Sequence, residues 1–301
     1  LNVHTVRFKD SDKDESNLAK KTAKHLGLKL KIHDIDQITL SDIKSSIQHF
    51  DQPFADPSLI VTDLICRKTF QNSTTVVLTG DGGDEGFCGY REYLKLAKYN
   101  SFNKLPDILL NNLGRVLSWI PNQKIKIISN RLKLNKISRV MWTHVYPFDG
   151  NLSKLLDNKF KIKNKFNFNE AEEFFNYNKK YDNLTISQIA DLNCYLPSNV
   201  LKKTDMMSMK NSIELRSPFL DYRLVELGLS IPKEYKIQNN KTKYILREIA
   251  KDWLPEEISK SKKKGFGIPL DQLFLTNNNY SEEVIDQIIK LSNYNFFNKS
   301  K

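Results

Sequence analysis

The run Thr74-Thr75-Val76-Val77-Leu78-Thr79, followed at once by Gly80-Asp81-Gly82-Gly83-Asp84-Glu85, constrains this chain more than any other stretch of it. Continuous β-branched and aliphatic residues without polar alternation read as a strand buried on both faces. The glycines just after it permit positive φ and a close approach of backbone to a ligand. Three carboxylates in one turn repel each other unless a cation or basic group sits among them. A glycine-rich, carboxylate-loaded turn at the end of such a strand suits magnesium plus a nucleotide. A solvated acidic turn is the alternative reading.

What precedes the turn alternates between strand and helix. Thr5-Val6-Arg7-Phe8 is a short β-type run. Asp14 to Leu26 has helical spacing, with Leu18, Ala19, Thr22, Ala23 and Leu26 on one face, Asp14 as cap and Gly27 as stop. Leu28 to Ile35 reads as a strand with Leu28, Leu30, Ile32 and Ile35 inward. Ser41 to Phe50, capped by Ser41, and Ser58 to Phe70 read as helices, separated by the proline-containing loop Asp51 to Pro57. This order implies an α/β fold with a parallel sheet, and ligands of such sheets bind beyond the carboxyl ends of the strands. From about Ser101 the period is mostly helical. The expectation is an α/β lobe over residues 1–100 followed by a helical lobe over 101–301.

Composition excludes several classes. No run of about eighteen apolar residues exists, so no membrane-spanning helix is expected. The start, Leu1-Asn2-Val3-His4, resembles no signal peptide and lacks an initiator Met, which suggests a cropped chain. Cys66, Cys88 and Cys194 have no metal-ligand or disulfide spacing, which suggests a reducing, cytoplasmic setting. The net charge of +12 is spread along the chain among asparagines and isoleucines, with no nucleic-acid recognition motif.

Two further segments carry candidate chemistry. Lys202-Lys203-Thr204-Asp205-Met206-Met207-Ser208-Met209 runs on to Glu214-Leu215-Arg216-Ser217-Pro218-Phe219-Leu220-Asp221. Its methionines read as core filler and its charges as surface pairs when taken alone. Lys262-Lys263-Lys264-Gly265-Phe266-Gly267 suits a loop closing on a phosphate, or a solvated loop.

Taken in order, these motifs resemble the asparagine synthetase family: Thr79-Gly80-Asp81-Gly82-Gly83-Asp84-Glu85 with Tyr90, then Asp205-Met206-Met207-Ser208-Met209, then Glu214-Leu215-Arg216-Ser217-Pro218-Phe219-Leu220-Asp221, then Lys263-Lys264-Gly265-Phe266-Gly267. Asp14-Glu15-Ser16 and Asp51 to Pro57 are similar to that family as well. The likeness runs from about residue 3 to 275.

The resemblance implies an adenine-nucleotide α-hydrolase (PP-loop, Rossmann-like) domain that converts aspartate to asparagine. ATP and Mg²⁺ activate the side-chain carboxylate as β-aspartyl-AMP, and ammonia drawn from glutamine displaces AMP. By position, Val6, Thr79, Gly80 and Gly82 belong to the nucleotide site. Asp84 holds Mg²⁺ with Glu85 in support at the substrate, and Asp81 assists the acyl-adenylate chemistry. Tyr90 touches the phosphates or intermediate, Asp205 binds the substrate's amino group, and Lys263 stabilises the α-phosphate, with Lys264 as competitor. A homodimer is the family's habit, and neither nucleic acid nor membrane is an expected partner.

Three departures stand out. The family's Ser-Gly-Gly-x-Asp-Ser loop and its Cys-initiated glutaminase domain are missing, and Arg7 replaces a small residue near the adenine site. The expectation is that this chain alone is inactive or nearly so. The rivals are another acyl-adenylating ligase of the same fold, β-lactam synthetase-like or acting on a peptide or polysaccharide, and a non-catalytic basic binding module.

Overall fold

The computed structural model describes residues 1–8, 14–100, 105–141, 168–261, 282–284, 286–287 and 289–290. Their contacts group into two compact units, and neither is one continuous stretch. The first draws on residues 1–82, 196–222 and 244–290, the second on 83–195 and 223–243. The sequence suggested a single division near residue 100 instead.

In the first unit, β1 (Asn2–Arg7) and β2 (Lys29–Asp34) pair in parallel, with Val6 opposite His33. The crossover is α1 (Ser16–His25). Gly27 takes φ +66 just beyond the helix, where the sequence put the stop, but the N-cap is Glu15 and not Asp14, which instead accepts from the Ser16 N–H at 2.9 Å. The expected inward alternation of β2 does not hold. His33 is the buried member of the strand, stacked on His4 with ring centroids 5.3 Å apart, while Leu30 and Ile32 are half-buried. A ring partner on the neighbouring strand covers a polar position that a period-two reading assigns to solvent.

Helix α2 (Leu40–Phe50) is capped by Thr39, two residues earlier than Ser41. The Thr39 hydroxyl accepts from the Asp42 N–H at 3.1 Å, and Asp42 accepts from the Thr39 N–H at 2.9 Å. Ser41 has Lys44 three residues on and cannot form that reciprocal pair. Helix α3 (Ser58–Phe70) matches the sequence reading and is buried nearly all round. Its Ile60, Val61 and Leu64 join Val6, Phe8, Ile35 and Ile38 in one core, each side chain contributing about 1.5–3 kcal/mol of burial.

Strand β3 (Val76–Leu78) pairs in parallel with β4 (Glu214–Arg216). Among the described residues the strands thus form two separate parallel pairs instead of one sheet. Val76 and Leu78 are 45% and 61% exposed, which corrects the expectation of a strand buried on both faces. Only three residues of the run enter the ladder, and no described element covers those two side chains.

The second unit is helical. It contains α4 (Gly83–Gly86), α5 (Arg91–Tyr99), α6 (Asp107–Leu117), α7 (Gln123–Leu132), α8 (Lys136–Met141), α9 (Phe168–Asn178) and α10 (Asn183–Ala190). Tyr93 and Leu96 of α5 pack with Cys88 and Leu184, while Val140, Phe175 and Ile186 form a second cluster. A wide, π-type helical stretch, Asp191–Leu201, follows and encloses Pro197, whose missing N–H breaks the ordinary ladder.

That stretch feeds α11 (Lys202–Lys210), which belongs to the first unit and lies on α2 and α3. Met207 is fully buried against Phe50 and Leu59. Lys210 bonds Asp63 at 2.5 Å, and Lys203 bonds Asp56 at 2.9 Å. The remaining helices are α12 (Tyr222–Ser230), α13 (Lys233–Lys236), α14 (Tyr244–Ala250) and α15 (Glu256–Lys260). No helix among the described residues is long and apolar enough to cross a membrane.

Candidate functional site

The first unit brings Thr79, Asp81 and Ser217 together at the end of the β3–β4 pair. The ladder runs one bond beyond β3, from the Thr79 N–H to the Arg216 carbonyl at 2.9 Å. The Thr79 hydroxyl then donates to Asp81 at 2.9 Å and lies 2.8 Å from the Ser217 hydroxyl. Both carboxyl ends of the parallel strands thus carry polar side chains, the edge at which α/β sheets present ligands.

Gly82 has φ +85 and closes this turn. A Cβ there would collide with the side chain of Leu220, so both backbone conformation and space require glycine. Gly80 has no positive φ, and a Cβ there would meet nothing within 4 Å, so packing does not explain this glycine. Val6 points its side chain into the core and engages its backbone with β2, leaving no side-chain group for a ligand.

Ser217 also lines a cavity of about 540 Å³, with Lys202, Asp205, Ser208, Glu214 and Leu220 among its walls. Its size falls in the range of small-molecule sites. Asp205 is exposed and on α11, Lys202 bonds Gln52 at 3.0 Å, and Glu214 pairs with Arg216 at 2.8 Å. The cavity therefore presents carboxylates, hydroxyls and one ammonium around an aliphatic wall, a lining suited to a small zwitterion. Asp205 was legible in the sequence. Ser217 was not, because nothing in a Ser-Pro dipeptide announces contact with a residue distant in the chain.

The second unit holds the other half of the acidic segment. Asp84 sits on the single turn α4, and Lys243 reaches it with Nζ 2.8 Å from Oδ1. Gly89 leaves the room: a Cβ there would collide with the Asp84 carboxylate and the Lys243 stem. Left-handed backbone flanks the pair, Cys88 at φ 56 and Lys243 itself at φ 52, a conformation that β-carbon residues adopt only when surroundings enforce it.

Glu85 is 1% exposed and accepts from the Tyr90 hydroxyl at 2.7 Å. Burial pushes the Glu85 carboxyl up, against the pull of the Tyr90 hydrogen bond, and the Asp84 charge adds to the rise. Burial, then the Glu85 charge, pushes the Tyr90 phenol up as well, so it stays a proton donor. Nearby, Tyr93 donates to Asp191 at 2.5 Å. Lys263, together with Lys262 and Lys264, lies outside the described residues.

No group of three or more His, Cys, Asp or Glu side chains is placed to hold a metal among the described residues. Asp84 alone is nevertheless the kind of oxygen donor Mg²⁺ takes when phosphates and water complete its octahedron. The residues present thus fit a magnesium shared with a phosphate-bearing substrate, and do not fit a closed, all-protein metal cage.

The family profile for asparagine synthase matches residues 1–301. The chain is 29% identical over 276 residues to "Asparagine synthetase (glutamine-hydrolyzing) 1" of Bacillus subtilis, covering 90% of this chain and 43% of that protein. It is 26% identical over 273 residues to a provisionally named asparagine synthetase of Mycobacterium bovis, covering 90% and 41%. It is 25% identical over 299 residues to "Amidase chyE" of Penicillium rubens, covering 88% and 43%. The chain thus spans less than half the length of these relatives.

Proposed function

The chain belongs to the asparagine synthase family, and on that footing we propose that the protein carrying it joins ammonia to the side-chain carboxylate of aspartate at the expense of ATP. The observation that carries this reading is the Asp84–Lys243 pair in the space left by Gly89. It supplies one carboxylate and one ammonium side by side, the charges needed where a metal and a polyphosphate meet.

In this reading the sheet is of the adenine-nucleotide α-hydrolase type. The backbone at Val6, Thr79, Gly80 and Gly82 faces the nucleoside. Asp205 holds the substrate's amino group, and the aspartate carboxylate attacks the α-phosphorus of ATP to release pyrophosphate. Mg²⁺, when bound, screens the phosphate charge, and Asp84 is the residue that would hold it. Asp81, oriented by Thr79, faces the acyl-adenylate and receives the proton that ammonia loses on attack. Glu85 and Tyr90 support Asp84 from the buried side, and Lys263 draws charge from the α-phosphate. Glutamine supplies the ammonia through a glutaminase domain, in a cytoplasmic enzyme of amino-acid biosynthesis.

A second reading keeps the adenylation and changes the carboxylate. It is raised by the fungal relative whose name is an amidase and not an asparagine synthetase. The two are separated by assaying the protein that carries this chain for ATP–pyrophosphate exchange with aspartate, other amino acids and peptide carboxylates. Exchange that depends on aspartate supports the first reading. Exchange only with another carboxylate supports the second, and no exchange with any of them contradicts both.

A further inference from the structure

Beneath the turn that carries Asp84 and Glu85 lies a polar clamp made of two residues that no motif marks. Gln188 on α10 is fully buried, and its Nε2 donates to the Glu85 carbonyl at 2.8 Å and to the Gly86 carbonyl at 2.7 Å. These are terminal carbonyls of the one-turn helix α4, the kind of group that a helix leaves without an internal partner. Gln188 Oε1 in turn accepts from Lys236 Nζ at 2.8 Å, and Lys236 also donates to the Leu229 carbonyl at 3.1 Å.

Lys236 is 1% exposed, and among the described residues no carboxylate lies within ion-pair distance of it. Burying an ammonium against neutral acceptors is costly, and a methionine would fill the same volume without that cost. What the ammonium provides is direction. A primary amide can present either end, and a cation on Oε1 turns the NH₂ group toward the two carbonyls. Gly228 of α12 closes the third side, since a Cβ there would stand 2.8 Å from the Gly86 carbonyl oxygen.

We propose that Gln188, locked by Lys236, is a positioning residue that fixes the backbone of the Glu85–Gly86 turn and so aims Asp84 at its divalent cation. The inference rests on the reading of Asp84 as a metal ligand. Neither residue touches the cation. They act through the turn, as outer partners of metal ligands do elsewhere.

The test uses Mn²⁺ with inorganic pyrophosphate as the probe, titrated against the protein that carries this chain and followed by the electron paramagnetic resonance of the protein-bound ion, with a thermal melt of each variant. Gln188→Glu keeps the length and gains an ion pair with Lys236, yet cannot donate to the carbonyls. It is expected to melt at a lower temperature, because two buried carbonyls lose their donor, and to bind Mn²⁺ about 10- to 100-fold more weakly at a temperature where it is still folded. Lys236→Met is the second variant, for use should Gln188→Glu not fold, and it is expected to weaken Mn²⁺ in the same direction. Asp84→Asn is the control. If Asp84→Asn abolishes binding while both clamp variants bind like the unsubstituted chain, the clamp inference is overturned and the reading of Asp84 stands. If the unsubstituted chain shows no saturable binding, or Asp84→Asn leaves binding unchanged, the reading of Asp84 falls and the inference falls with it.

Discussion

Lys243 Nζ lies 2.8 Å from Asp84 Oδ1, and the pair occupies the space that any side chain at Gly89 would take. The ion pair is partly buried, with 27% and 16% of the two side chains exposed, so water screens it less than a surface pair. An otherwise ordinary Gly-Tyr dipeptide thereby becomes part of the site.

Gly89→Ala is expected to abolish ATP–pyrophosphate exchange in the protein that carries this chain while leaving its melting curve nearly unchanged. The added methyl group displaces the Asp84 carboxylate and the Lys243 stem. Activity within a few-fold of the unsubstituted protein would mean that the pair tolerates displacement and does not position the chemistry.

Asp205→Ala is expected to raise the KM for the amino-acid substrate by about tenfold or more, the loss of a charge-assisted hydrogen bond, with the KM for ATP little changed. Asp205 lines the cavity shared with Ser208 and Ser217. Steady-state kinetics with each substrate varied in turn decide it. An equal rise in both constants would place Asp205 outside the amino-acid site.

Asp63 governs acid stability in the first unit. Burial alone would raise its pKa, but hydrogen bonds from Lys210, Asn211 and Ser46 outweigh burial and hold it below the ordinary carboxylate value. A depressed folded pKa means that Asp63 stabilises the fold above about pH 4 and that this contribution is lost as pH falls through the folded value. Asp63→Asn is expected to cost about 3 kcal/mol near neutral pH, from breaking a buried pair, and much less near pH 2. Denaturant melts at the two pH values check this, and an equal difference at both would contradict it.

The thiols give a chemical check on burial. Cys66 is buried and its pKa is pushed up to about 12 by burial, and Cys88 is raised further for the same reason. Cys194 is exposed. A disulfide-exchange reagent at about pH 8 is expected to modify one thiol quickly in the folded chain and all three after denaturation. Fast modification of all three in the folded chain would contradict the burial of Cys66 and Cys88.

Sequence patterns located α1 and α3 closely, α1 because its apolar spacing and the Gly27 stop are local signals. The capping box of α2 was local too, yet Ser41 drew attention away from the reciprocal Thr39–Asp42 pair. Strand β4 was not legible, since Glu214-Leu215-Arg216 is too short to show a period, and only its pairing with β3 makes it a strand. The acidic turn was found from its composition. Its partners Lys243, Gln188 and Lys236 were not, because each is brought to it by tertiary packing and sits in a stretch that reads as an ordinary polar helix or loop.

Whether Asp84 and its neighbours serve the adenylation of a carboxylate is tested most directly by isotope transfer. The protein that carries this chain is supplied with ATP, Mg²⁺, ammonia and aspartate labelled with ¹⁸O in its side-chain carboxylate. Adenylation predicts asparagine, pyrophosphate and AMP, with one ¹⁸O in the AMP phosphate, and loss of all three products in Asp84→Asn. Formation of ADP and inorganic phosphate, or AMP free of label, would contradict it.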